Sequence, residues 1–166
     1  SSERNFYQQV TDIYATATDY DPRDEMTKAF FATVQNKLHY AVHENTAAEV
    51  IYYRVDNEKP FVGMTNFKGN YVTRDDVKIA KNYLTEEELK TLNRIVNLYL
   101  EFAEFQAISH KPMYMKDWIQ KLDDFLKLSG KELLTHAGVI SAEVAKLKAD
   151  TEYDKFKERT RNCLSA

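Results

Sequence analysis

The chain is poor in the residues that punctuate or cross-link a fold. Three prolines and four glycines in 166 residues leave room for long uninterrupted elements. A single cysteine, Cys163, excludes an internal disulfide. No His or acid stands near it in a nucleophile pattern, so it reads as a free thiol of a reducing compartment. No apolar run approaches the roughly 18 residues that a membrane-spanning helix needs, and no secretory leader is recognisable. A cytoplasmic chain with no membrane partner is therefore expected. Charge of one sign is lacking too: 23 Lys and Arg face 26 Asp and Glu, a net charge of −3. Nothing global draws the chain to nucleic acid.

What is present is apolar and helical. Hydrophobic residues make up 43% and aromatics 13%, ample for a packed core. The apolar spacing is that of helices throughout. Phe6, Val10, Ile13 and Tyr14 form one stripe over residues 3–17. Asp21-Pro22 interrupts it, and Asp24 suits the start of a second helix reaching residues 44–45. Thr46-Ala47-Ala48-Glu49 and Thr85-Glu86-Glu87-Glu88 are both capping boxes. The second box opens the longest predicted helix, 86–109. A short helix is expected from Thr73 to Tyr83, another around Trp118 closed by Gly130, a short one over 131–137 and a last one capped by Ser141. Between Asp56 and Val72 the pattern changes, and a loop or small hairpin insert is expected there. The predicted fold class is all-α: a compact bundle of seven or eight helices, with residues 1–166 forming one helical domain.

The richest segment is residues 30–43. Phe30, Phe31, Val34, Leu38 and Ala41 give that helix an apolar face, and Asn36, Lys37, His39, Tyr40 and His43 crowd the rest. His39 and His43 stand four apart, a spacing that can hold a metal with Glu44 or Glu49 as a further ligand. A zinc-protease motif is absent because no Glu follows His39, and the pair reads first as hydrogen-bonding histidines, with neither metal nor cofactor expected. Glu101 and Glu104 are paired carboxylates on the long helix, with Arg94 two turns upstream. No Glu-x-x-His pair accompanies them, so an Arg–Glu pair in the core is the simpler reading. Lys81-Asn82 can bind an anion or end a helix. Lys155, Lys157, Arg159 and Arg161 are interleaved with acids and read as a solvated face. The His-Pro-Phe and Gly-Asn-Gly-Arg signature of Fic-type transferases is absent, as are a phosphate loop and a nucleophile elbow. If a polar site exists, its candidate members are Asn36, His39, His43, Lys81, Asn82, Arg94 and Glu101, converging from several helices.

Several segments together resemble the virulence RhuM family of bacterial proteins. They are Phe6-Tyr7 with Thr11-Asp12-Ile13-Tyr14, the run from Phe30 to Ala41, and Thr46-Ala47-Ala48-Glu49-Val50-Ile51. Ala80-Lys81-Asn82-Tyr83-Leu84, Leu92-Asn93-Arg94-Ile95-Val96, Pro112-Met113, Asp117-Trp118, Lys121-Leu122-Asp123 and Phe125-Leu126 continue the match in order. The resemblance implies the C-terminal helical domain of a longer protein encoded in pathogenicity or mobile islands. It also implies DNA contact through an N-terminal region absent from this chain, and it carries over no catalytic residues. The expected role is an interaction or assembly domain with possible self-association. The alternative is an unrecognised enzyme or toxin built on the candidate cluster.

Overall fold

The computed structural model describes residues 2–109 and 111–165. Among them the chain forms six α-helices and no strand. They are α1 (Ser2–Tyr14), α2 (Glu25–His43), α3 (Ala47–Arg54), α4 (Glu86–Ile108), α5 (Met115–Leu128) and α6 (Ala142–Ser165). Three 3-10 turns lie between α3 and α4: Pro60–Gly63, Asp76–Lys78 and Ala80–Tyr83. The all-α class agrees with the sequence. The expected count of seven or eight helices does not, for two local reasons. Ile79 adopts extended φ/ψ of −105° and 111°, which splits the stretch before Tyr83 into two 3-10 turns. Residues 131–137 form no helix at all.

The insert near residues 56–72 is an ordered loop, and the hairpin does not form. Its amides are satisfied locally or by a distant carbonyl rather than by a ladder. Asp56 donates to Val62 O at 3.0 Å, and Thr65 and Asn66 both donate to Asn82 O at 2.9 and 3.0 Å. Pro60 opens its turn, and Phe61, Val62 and Gly63 then follow at φ of 55°, 58° and 90°. That handedness cannot continue into a strand.

The chain divides into two compact units, each discontinuous in sequence. The first comprises the chain through Glu44 together with Thr91–Leu134. Asp24 caps its α2, accepting from Met26 N at 2.9 Å. Asp117 accepts from Tyr114 N at 2.9 Å at the start of α5. Gly130 ends α5 at φ 75°, and the amide of Lys131 reaches back to Leu126 O at 2.9 Å. Val10 and Tyr14 of α1, Val34 and Leu38 of α2, Tyr99 and Ala103 of α4, and Trp118 and Leu122 of α5 are fully buried around one another. Each large apolar side chain so placed contributes about 1.5–3 kcal/mol. The Tyr14 and Tyr99 hydroxyls meet at 3.2 Å in this core. Burial pushes the Tyr99 phenol up to about 12, and Tyr14 higher still.

The second unit comprises Asn45–Lys90 and the chain from Thr135 onward. Here α6 lies along α3. Ala145 and Ala149 are buried on α6, and their small side chains allow close approach. Lys148 Nζ donates to Tyr52 O at 2.6 Å and sits 4.2 Å from the Tyr52 ring centroid. Ser141 caps α6 through Val144 N at 3.1 Å. Both capping boxes form: Thr46 with Glu49 at the start of α3, and Thr85 with Glu88 at the start of α4.

Candidate functional site

In the first unit α2 brings together much of the polar set singled out from sequence. Leu38 and Val34 face the core, which fixes the rotation of the helix and carries His39 inward with them. His39 is 2% exposed, and its Nδ1 lies 2.9 Å from His43 Nε2, with ring centroids 5.1 Å apart. One ring donates and the other accepts, so the tautomers of the pair are tied to each other. His43, Tyr40, Glu44, Lys131 and Glu132 line a cavity of about 330 Å³ at the end of α2. Among the described residues, no group of three or more His, Cys, Asp or Glu side chains is placed to hold a metal.

Lys37, also on α2, has a structural task. It is only 9% exposed; its Nζ donates to Asp123 Oδ1 at 2.9 Å and to Leu134 O at 3.0 Å, tying α2 to α5 and to the segment after it. Asn36 is half-buried on the same helix. Arg94 and Glu101 are both exposed on α4, so the simple reading of a core ion pair does not hold for them. Glu101 instead lines a groove of about 560 Å³ with Glu104, Asp12 and Gln9, floored by Ile13 and Leu100. The remaining two candidates, Lys81 and Asn82, belong to the second unit. Asn82 is an internal strut there: its Nδ2 donates to Asp76 O at 2.9 Å while its own carbonyl accepts from Thr65 and Asn66.

The second unit holds polar contacts that the sequence did not announce, beyond the two capping boxes. Arg54 makes a two-pronged ion pair with Glu88, at 2.6 and 2.9 Å, and also donates to Tyr83 O at 2.9 Å. The hydrogen bond to Glu88 raises the Arg54 pKa further. Glu49 is 5% exposed. Its Oε1 accepts from Thr46 N and its Oε2 from Val139 N, each at 2.8 Å. Burial alone would push this carboxyl up, but those bonds win and hold it below the usual carboxylate value. Arg74 pairs with Asp150 and Asp154 at 3.1 and 2.5 Å, and Lys78 also reaches Asp150 at 3.0 Å. Only the Thr46–Glu49 spacing announced any of this. The partners of Arg54, Arg74 and Lys78 lie 29 to 80 residues away.

Among the described residues the chain is all-helical, and its buried polar groups mostly join elements within each unit. The chain belongs to the virulence protein RhuM family, whose model matches residues 1–164. No curated protein and no solved structure matches it.

Proposed function

We propose that this chain is an assembly domain that self-associates through the outer face of α4, within a bacterial virulence protein whose contact with DNA is made by a region outside the chain. One observation carries the reading. Leu98, Phe105 and Ile108 are 48%, 71% and 65% exposed, and their spacing puts them on one face of the helix. Apolar side chains grouped in this way mark interaction surfaces, whereas single ones do not. Arg94 and Glu101 lie on the same face, one on either side of Leu98. A second copy docked antiparallel across a two-fold axis would lay one such apolar face on the other, the self-complementary pattern of a symmetric interface.

The test is mass in solution by light scattering across a concentration series. The expected result is a dimer that dissociates on dilution and is lost in the Phe105→Glu variant with its helical signal intact. A strict monomer at millimolar concentration would sink the reading.

A further inference from the structure

The groove between α1 and α4 in the first unit combines an apolar floor with a rim that carries charge of one sign. It encloses about 560 Å³. Ile13, Leu100 and Ala107 form the floor and are half-buried, whereas Asp12, Glu101 and Glu104 stand exposed along the rim. The base of the groove is held in place. Tyr14 and Tyr99, the chain neighbours of Ile13 and Leu100, are buried and meet through their hydroxyls at 3.2 Å, so the rotation of each wall is fixed.

No cation lines the groove. Residues 8–22 and 95–109, which supply both walls, contain no Lys, Arg or His at all. Arg23, Arg94 and Lys111 bound these stretches and stand outside the lining. Among the described residues Glu101 and Glu104 make no ion pair, and Asp12 accepts only a neutral hydrogen bond, from Gln8 Nε2 at 2.9 Å. Like charges left unbalanced along an open groove favour a ligand that brings the opposite sign.

The layout selects the kind of ligand. The three carboxylates do not converge: among the described residues no group of three acids is placed to hold one metal ion. They call for separate cations carried along an extended body. From Asn97 to Ala107 the α4 wall runs about 15 Å, roughly three helical turns. Two packed helices with an apolar seam between them form the seat that a third helix fills. We infer that the α1–α4 groove docks a cationic amphipathic helix of a partner protein, with apolar side chains on Ile13 and Leu100 and Lys or Arg against Asp12, Glu101 and Glu104. The inference does not rest on self-association through Leu98, Phe105 and Ile108, none of which lines the groove.

The probe is a fluorescein-labelled Leu-Lys peptide of about 14 residues, patterned to place its leucines on one helical face. Its anisotropy is followed as the full chain, wild type or Phe105→Glu, is titrated in. Binding is expected to both, so the result is separable from the dimer measurement. A Leu-Glu peptide of the same pattern, oligolysine and spermidine are each expected to bind about tenfold more weakly or not at all. Glu101→Lys with Glu104→Lys, at two exposed positions, should keep the melting temperature and weaken the Leu-Lys peptide about tenfold or more. Asp12→Asn, on the opposite wall, should weaken it about threefold. Absence of peptide binding, equal binding of oligolysine or spermidine, or full affinity in the double variant would each overturn the inference. So would a dimer that Phe105→Glu keeps and the double variant loses, since a second copy would then fill the groove.

Discussion

Glu49 shows how one side chain can do two jobs of different range. Its role toward Thr46 follows from the spacing, because a capping box is a local device. Its role toward Val139 does not, because nothing in the sequence says that residue 139 returns to the start of α3. The loop that brings it back passes closely: a Cβ on Gly138 would stand 2.7 Å from the Thr46 methyl carbon. Replacing Glu49 by Ala leaves the amide of buried Thr46 without its acceptor and releases the amide of Val139, an exposed residue, to solvent. The expected cost is about 1–3 kcal/mol, read as a lowered urea midpoint. The pH dependence has a definite sign. The folded pKa lies below the usual 4.5, so the Glu49 contribution is complete above about pH 4.5 and is lost as pH falls through the folded value. Glu49→Gln should therefore narrow the stability gap between pH 7 and low pH; an unchanged gap would place the acid sensitivity elsewhere. Lys37 teaches the complementary lesson. Its helix and its place beside an apolar face were legible, but its partners Asp123 and Leu134 are 86 and 97 residues away.

Elements were most legible where they carry their own start signals. Asp24, Thr46, Thr85 and Ser141 all cap the helices expected of them. The first helix ends at Tyr14 rather than at residue 17, although Ala17 is still buried. The helices that failed are those expected over 73–83, where Ile79 is extended and Asn82 is engaged by distant amides, and over 131–137. Of the two expectations for residues 56–72, loop and hairpin, the loop formed, because a left-handed turn buries Val62 and keeps the Asp56 amide bonded to its carbonyl. Gly63 secures that turn. Its φ is 90°, and a Cβ there would meet the Arg54 carbonyl oxygen at 2.4 Å. Gly63→Ala is expected to cost about 3 kcal/mol or more from strain and overlap together, measured by thermal unfolding. A loss below 1 kcal/mol, about the ordinary effect of a mild substitution, would mean that the turn relaxes easily.

On the scale of the molecule, class and family were legible in the sequence, but the division into two units interleaved along the chain was not. That division depends on which distant helices pair, and helical periodicity records only that a face is apolar. The candidate cluster met the same limit. Five of its seven members belong to the first unit, and Lys81 and Asn82 belong to the second. The pairing of α3 with α6 makes the second unit depend on the last part of the chain. Truncation after residue 134 should remove hydrogen-exchange protection from α3 and leave α5 protected. Protection of α3 that survived truncation would refute that dependence.

The interleaving has a consequence for synthesis. The first unit is complete in sequence only once Leu134 has been made, and the second only with the residues of α6 that follow. A ribosome adding roughly 5–20 residues per second therefore releases the partner of α3 seconds after α3 itself has emerged. During that interval α3, whose Val50 and Ile51 are buried in the finished fold, lacks the helix it packs against. The nascent chain is exposed to chaperones and proteases for a time set by translation, and codons read slowly between residues 55 and 141 would lengthen it.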